Sequence, residues 1–137
     1  AIISLQLNSV LKSLQQAKHG ESTLSASAVV GMRFYDLGRI DNDVLSFTDA
    51  SALADGRIVF IAAAEKTDDP VDDGKIAGSA IGILDSKGDV VTMQRLPGTI
   101  KAEGLHAELH NGTVHAWIAT DPDDIEIPSE LFFTQLP

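Results

Sequence analysis

The chain contains no cysteine, and aromatic residues make up only 5% of its 137 residues. The absence of cysteine excludes disulfide bonds and thiolate metal sites. Because aromatic side chains are scarce, any core must be built from aliphatic residues and alanine, which suits closely packed sheets better than large cavities. No apolar run approaches the ~18 residues that a membrane-spanning helix requires, and no stretch has the pattern of a signal peptide.

Positive charge is also scarce, because 10 lysines and arginines face 20 acids and the formal net charge is −10. A phosphate backbone or an anionic membrane would be repelled, so neither nucleic acid nor a membrane is expected as a partner. The charge instead favours a cationic ligand, or a surface kept in solution by its charge. Length and the 44% of hydrophobic residues predict one soluble domain and leave its compartment, cytoplasm or periplasm, undecided.

Hydrophobic periodicity predicts short strands along most of the chain and one helix near the N-terminus. The helix is expected at about residues 9–18, where apolar side chains recur at helical spacing and Asn8 or Ser9 provides the cap. Strands are expected on either side of it, at 2–7 and 28–37. The chain also starts inside a predicted strand and without methionine, so the N-terminus is expected to be a cut or processed end.

Residues 47–96 and 100–136 are imperfect copies of one pattern. In each copy an acid opens a first strand, a tight turn follows, a second strand ends in an acid, and a third strand comes after an acidic loop. Acidic loops are expected at 38–46 and 65–78. The equivalent residues of the two copies are the acids Asp49 and Glu103, the turns Asp55-Gly56 and Asn111-Gly112, and the terminal acids Glu65 and Asp121. Such a repeat predicts stacked or radially arranged sheets.

A four-stranded antiparallel meander of this kind is a propeller blade. Residues 47–96 supply a complete blade, residues 100–136 supply three strands of the last blade, and residues 1–37 match the third and outer strands of another. The predicted fold class is all-β, a partial propeller of about two to two and a half blades with one short helix inserted near the N-terminus. Open sheet edges tend to pair. The expected partners are therefore missing blades N-terminal to Ala1, present as a separate chain, or further copies of this chain.

Three runs of sequence carry a family resemblance, namely Phe47–Arg57, Gly78–Asp85 and Lys101–Leu105. They resemble the C-terminal part of bacterial six-bladed propellers, the phytase-like (esterase-like) proteins, many of which have no known activity. The resemblance covers most of residues 28–137, and Lys-x-Glu-Gly-Leu at 101–105 is its most distinctive piece. It implies a propeller, and it implies calcium-assisted phosphoester hydrolysis as one activity of the family, although a fold does not fix a function.

The meander gathers acids at one rim, because the start of each inner strand and the end of the second strand lie at the same end of a blade. Calcium takes about six to eight oxygen ligands, so calcium is the cofactor that such a rim suits. Bridging calcium ions would attract a phosphate and polarise its P–O bond. The candidate metal ligands are Asp49, Glu65, Glu103 and Asp121, and the candidate ligand-binding residues are Asp49, Lys101 and Glu103.

Each of these residues also has a structural interpretation. The loop acids can be solvated surface groups, and Asp49 and Glu103 can accept hydrogen bonds from neighbouring backbone amides. Lys101 lies two residues before Glu103 and hence on the same strand face, where it either neutralises that carboxylate or binds an anion. Trp117 is expected in the core or as a wedge between blades.

The residues leave three functions open. The first is a ligand-binding or cation-binding propeller domain with an acidic rim, and the second is a calcium-dependent phosphoester hydrolase. The third is a piece whose role is assembly with further blades. Whether the protein is an enzyme is not decided by the sequence, since general acid–base catalysis requires two groups in a known mutual geometry.

Overall fold

The computed structural model describes residues 1–17, 24–66 and 74–137. Within them the chain is built mostly from short antiparallel strands with one α-helix, so the predicted all-β fold class of a partial propeller is confirmed. The chain divides into two compact units, Ala1–Asp36 (unit 1) and Leu37–Pro137 (unit 2). Unit 1 contains a sheet of two strands, and unit 2 contains sheets of five and three strands.

Unit 1 consists of its two-stranded sheet and the segment between the two strands. Strand β1 (Ile2–Leu5) pairs antiparallel with β2 (Val29–Arg33), and Ile3 lies opposite Met32. Helix α1 (Leu7–Ala17) follows β1, and a single 3-10 turn (Ala26–Ala28) leads into β2. The two strands are thus brought together across the helix rather than by a tight hairpin turn.

Helix α1 starts earlier than the sequence predicts. It begins at Leu7, so Asn8 and Ser9 lie inside its first turn and the predicted cap at these residues is wrong. The carbonyl of Gln6 accepts the Ser9 N–H at 3.0 Å, and the Gln6 side-chain oxygen accepts the Ser9 hydroxyl at 2.9 Å. Gln6 therefore satisfies the start of the helix. Among the described residues, no helix is long and apolar enough to cross a membrane.

The larger sheet of unit 2 is an antiparallel meander whose strands lie in chain order. Its members are β3 (Arg39–Ile40), β4 (Asp43–Ala52), β5 (Ile58–Lys66), β6 (Lys75–Leu84) and β7 (Val90–Arg95). Strands β4 to β7 are called the first module below. They lie in the order predicted for the complete blade, and β3 adds a short fifth strand at the edge beside β4.

The loop expected at 38–46 is largely replaced by strand. Its residues form β3 and the beginning of β4, with a two-residue reversal at Asp41 and Asn42. Asp41 has a φ of 55°, in the left-handed region that aspartate tolerates better than most residues. Because β4 already begins at Asp43, Asp49 lies well inside this strand, and its predicted position at the strand start is wrong.

The loop expected at 65–78 is also shorter than predicted. Strand β5 continues to Lys66 and β6 begins at Lys75. Residues 67–73 between them lie outside the described residues, and with them four acids of the predicted rim, Asp68, Asp69, Asp72 and Asp73.

The smaller sheet of unit 2 is a three-stranded meander, called the second module below. Strands β8 (Ala102–His110), β9 (Thr113–Thr120) and β10 (Leu131–Leu136) pair in the order β10-β9-β8. Asn111 and Gly112 join β8 to β9 with φ values of 50° and 84°. Positive φ at both positions is the signature of a two-residue hairpin turn, which confirms the turn predicted from Asn-Gly.

One aliphatic core lies between the two modules of unit 2. Strands contribute alternate residues to it, as expected for sheets buried on one face. The first module supplies Val59, Ile61, Ile81 and Ile83, and the second supplies Ala107, Val114, Ala116, Ile118 and Leu136. The opposite face of the first module is buried as well, since Phe60, Ala62 and Leu84 are not exposed at all. The central strands β5 and β6 of the first module are therefore buried on both faces, whereas its edge strand β7 is exposed.

Gly82 of β6 marks the tightest packing on that opposite face. A Cβ atom at this position would lie 2.7 Å from Phe60 Cε1 and 2.8 Å from the carbonyl oxygen of Thr92. Phe60 is fully buried, and its ring meets that of Phe47 edge to face at 5.1 Å. Neither the ring nor the backbone carbonyl can retreat freely, so the site requires a residue without a side chain.

We expect Gly82→Ala to lower the free energy of unfolding by about 2–3 kcal/mol, because the added methyl group overfills this contact. Gly98→Ala is the matched control. Gly98 has a φ of 75° and open space around it, so alanine there should cost only about 1 kcal/mol of backbone strain. Urea unfolding of both variants measures the difference, and equal losses would contradict the steric account of Gly82.

Candidate functional site

Lys101, the residue just before β8, lies at the centre of an acidic cluster. Its side chain is only 7% exposed, and its Nζ lies 3.3 Å from Glu65 Oε1 and 3.1 Å from Glu103 Oε1. Asp123 supplies a third carboxylate, which accepts a hydrogen bond from the same Nζ. One buried ammonium thus binds acids from three separate parts of unit 2. These four residues are called the lysine cluster below.

Backbone irregularities aim the three carboxylates at Lys101. The pairing of β5 with β6 shifts in register just before Glu65, and the pairing of β8 with β9 shifts at Glu103. A bulge of this kind turns a side chain away from the direction that regular alternation would give it. Asp123, in the loop after β9, has a φ of 54°. The cluster therefore depends on a register shift beside each of the two strand acids and on a left-handed residue in the loop.

Asp121 acts on the cluster through the backbone. Its N–H donates to the Lys101 carbonyl at 3.1 Å, and its Oδ1 accepts the Asp123 N–H at 3.1 Å. The second bond closes a turn of the type that aspartate favours in loops. Asp121 thus fixes the main chain at both Lys101 and Asp123, and Asp123 supplies the carboxylate that meets the ammonium.

Burial and ion pairing act in opposite directions on Lys101. Burial is the largest single influence and by itself lowers the pKa of Lys101, because it disfavours the charged form. Hydrogen bonds to Asp123, Glu103 and Glu65, together with the Coulomb attraction of Glu103, outweigh burial and raise the pKa above its ordinary value. The side chain is therefore an ammonium at neutral pH.

Asp49 has a different part in unit 2. Its Oδ2 accepts the Leu105 N–H of β8 at 2.7 Å, and its Oδ1 accepts the N–H of Ala50 at 2.8 Å. The carboxylate thus bonds two backbone amides, which is the structural interpretation that the sequence left open for it. Asp49 joins the first strand of one module to the first strand of the next.

Three further side chains of the first module also form hydrogen bonds with the backbone of β8 or of the residues just before it. Thr48 Oγ1 donates to the Ala102 carbonyl at 2.7 Å. Ser51 Oγ donates to the Ala107 carbonyl at 3.3 Å and accepts the N–H of the same residue at 3.0 Å. Buried Ser79 Oγ donates to the carbonyl of residue 100 at 2.7 Å and accepts the Ala102 N–H at 3.1 Å. Each serine therefore offers a donor and an acceptor to one stretch of backbone, Ser51 within β8 and Ser79 at its start, as a neighbouring strand would.

The sequence did not predict that Ser51 and Ser79 connect the two modules, or that Asp123 pairs with Lys101. The available signal for the serines was a small polar residue inside an otherwise apolar strand, because a buried hydroxyl needs hydrogen-bond partners. For Asp123 no comparable signal exists, since a loop acid with a left-handed φ cannot be distinguished from its neighbours Asp121 and Asp124 by spacing alone.

The lysine cluster places an ammonium where the sequence predicts a calcium ion. Of the four predicted ligands, Glu65 and Glu103 contact Lys101, whereas Asp49 and Asp121 accept hydrogen bonds from backbone amides. Across the described residues, no group of three or more His, Asp or Glu side chains is placed to hold a metal ion. A cation that approached the cluster would compete with Lys101 for the same carboxylates.

A second candidate surface lies on the outward face of the second module. His106 of β8 and Phe133 of β10 lie opposite Trp117 of β9, with ring centroids 5.6 Å and 5.3 Å from that of Trp117. His115 lies 5.4 Å from Phe133 and 5.2 Å from His110. These five rings, called the aromatic face below, cover all three strands, and Phe133 is 53% exposed. Trp117 thus belongs to a surface cluster.

We expect calcium to leave the melting temperature of the wild-type protein unchanged and to raise that of Lys101→Met. The substitution removes the internal cation and leaves Glu65, Glu103 and Asp123 to repel one another, which a bound calcium ion would relieve. Without calcium the variant should lose about 3 kcal/mol of stability, at the low end for a broken ion pair because the acids are partly solvated. Calorimetry in calcium and in chelator measures both effects. A rise for the wild-type protein would instead support the calcium rim that the sequence predicts.

We expect the stability advantage of the wild-type protein over Lys101→Met to disappear at high pH. The folded pKa of Lys101 is raised. Its contribution is therefore complete below the unfolded lysine pKa of about 10.4 and is lost as the pH rises through the folded pKa. Denaturant unfolding from neutral pH to strongly alkaline pH, with exposed Lys66→Met as the control, measures the difference. An advantage that already shrinks between pH 7 and about 9 would contradict this assignment.

The chain matches one family model over residues 1–125, and that model is described as a family of unknown function, DUF6910. No curated protein and no solved structure matches the chain. The resemblance to phytase-like propellers therefore stays a prediction from the sequence. Because the matched residues make up most of the chain, this protein belongs to the DUF6910 family of unknown function.

Proposed function

We propose that the chain is a docking module of a β-sheet assembly, and that its second module binds a further sheet. The aromatic face is the observation that carries the proposal. Trp117, Phe133 and three histidines form a ring cluster on a sheet face that is partly open to solvent, whereas the central strands β5 and β6 of the first module are buried on both faces. Exposed apolar clusters on sheets are a common mark of interaction surfaces.

The first module shows how the face equivalent to the aromatic face is used. Counted from the turn glycines Gly56 and Gly112, Val59 and Ile61 of β5 correspond to His115 and Trp117 of β9. Val59 and Ile61 are fully buried in the core between the modules. The first module therefore uses this face to bind the next module. The second module presents the same face to solvent, so a further sheet packed there would continue an interface that the chain already contains.

Polar residues on the first strand of each module, β4 and β8, support the same interpretation. Asp49 and Ser51, which bond the backbone of β8, lie opposite Ile61 and Val59. In the second module, His106 and Glu108 lie opposite Trp117 and His115. His106 and Glu108 thus occupy the positions from which the first module bonds the backbone of its neighbour, and each can offer a polar group to an incoming strand.

The free edge of β10 adds a second point of attachment. In the first module the third strand, β6, pairs with a fourth strand, β7. Its counterpart β10 pairs with β9, and the described sheet ends there. Its outward residues include Leu131 and Phe133, both largely exposed. An open edge with apolar side chains is a template for strand addition.

The rim offers weaker support for the other two functions expected from the sequence. Ligand binding by the acids, and calcium-dependent phosphoester hydrolysis, both require carboxylates that are available to an external cation. In the structure, Glu65, Glu103 and Asp123 already bind Lys101. Both functions remain predictions from the sequence, and docking through the aromatic face is the function that the geometry favours.

We expect the purified chain to associate through the aromatic face, and Phe133→Glu to weaken this association by about tenfold or more, because a charge would have to be desolvated in the contact. Val91→Glu on β7 is the matched control, since Val91 is 57% exposed and Phe133 is 53% exposed. Sedimentation velocity over a concentration series measures the association. Trp117 is the only tryptophan of the chain, so its emission and its quenching by acrylamide report burial of the face directly.

Two results would contradict the proposal. One is a wild-type chain that stays monomeric at high concentration with Trp117 freely quenched. The other is association that Phe133→Glu and Val91→Glu weaken equally. Thermal unfolding of both variants shows that the fold is retained, as is expected for substitutions at exposed positions.

A further inference from the structure

Unit 1 exposes an apolar surface on one side of its small sheet. Ile3 and Met32 are cross-strand partners and therefore share a face, Val30 shares it by strand alternation, and Phe34 follows directly after β2. Each of these four side chains is more than half exposed. They are called the apolar face of unit 1 below. A two-stranded sheet is marginally stable by itself, so this face gains stability from any sheet that covers it.

The charge of the chain is divided unequally between the two units. Unit 1 carries Lys12, Lys18 and Arg33 against Glu21 and Asp36, so its formal charge is slightly positive. The remaining 18 of the 20 acids lie in residues 37–137, together with 7 of the 10 lysines and arginines. Two copies of unit 2 therefore repel each other strongly, whereas unit 1 of one copy can approach unit 2 of another copy without such repulsion.

The chemistry of the two open faces is also complementary. The aromatic face offers flat rings, with Trp117 and Phe133 at its centre. The apolar face of unit 1 offers Met32, whose thioether packs favourably against ring edges, and Phe34, together with two branched aliphatic side chains. In the core of unit 2 the residues that cluster with Val59 and Ile61 of β5 are likewise aliphatic.

We propose that the sheet bound by the aromatic face is unit 1 of a second copy of this chain. This inference rests on the proposed function, because it names the partner of the docking surface described there. The contact joins two different faces, so it is head to tail. Repeated from copy to copy, a head-to-tail contact closes into a ring if the rotation allows, and otherwise extends as a filament.

Cross-linking between two single-cysteine variants tests the contact, and the cysteine-free sequence makes each introduced thiol unique. Val30→Cys and Leu131→Cys place thiols on the two proposed faces, and Val91→Cys on β7 is the control; all three positions are exposed. With one variant carrying a mass tag, a short bis-maleimide should yield severalfold more mixed dimer from the Val30 and Leu131 pair than from the Val30 and Val91 pair. Equal yields would overturn the inference.

A second measurement separates this inference from the proposed function. Met32→Glu should weaken self-association by about tenfold, like Phe133→Glu, because it puts a charge into the same contact. Gln15→Glu on α1 adds the same charge to unit 1 and should have a much smaller effect. Loss of association in Phe133→Glu but not in Met32→Glu would overturn the head-to-tail contact and leave the docking function standing. Absence of association in the wild-type chain would overturn both.

Discussion

The buried ammonium of Lys101 is the constraint on which the arrangement of unit 2 depends. A charged group removed from water is strongly unfavourable unless it is paired, and Lys101 is paired three times. Its partners come from the end of β5, from the bulge of β8 and from the loop after β9. Any shift of one module relative to the other would separate the ammonium from Glu65, so the ion pairs oppose sliding of the modules. The aliphatic core opposes sliding less, because hydrophobic contacts are not directional.

Side-chain hydrogen bonds to the backbone of β8 are a second directional interaction between the modules. Among the described strands the two sheets of unit 2 share no backbone ladder, yet Asp49, Ser51 and Ser79 bond backbone groups of β8 and of the residues before it. Side chains thus do between sheets what backbone groups do within a sheet, and they satisfy main-chain groups that would otherwise be buried without partners. The core supplies most of the stability by burial, whereas the lysine cluster and the side-chain bonds determine the register of the modules.

Local sequence signals predicted the meanders well, because strand alternation and the Asn-Gly turn are set by neighbouring residues. They failed where geometry depends on a bulge or on a distant partner. Strand β4 begins at Asp43, since Asp41 adopts a left-handed turn that composition alone did not indicate. Glu65 and Glu103, two of the four acids predicted at the rim, meet at Lys101, but spacing could not show which carboxylates turn to Lys101 and which turn to backbone amides. That choice is made by bulges at Glu65 and Glu103 and by the turn at Asp121.

The carboxylates of the rim and the rings of the aromatic face differ in whether the chain itself supplies their partner. The rim carboxylates Glu65, Glu103 and Asp123 already bind the ammonium of Lys101, which offsets one of their three formal charges. The rings of the aromatic face have no comparable internal compensation, because burying apolar area requires a second surface, and about 25 cal/mol is gained for each Å² removed from water. Phe133, which is 53% exposed, and its neighbour Leu131 on the same strand therefore still have free energy to gain from a partner. An acidic cluster that contains a buried lysine is for this reason a weaker indication of ligand binding than an uncovered aromatic face on a repeated sheet.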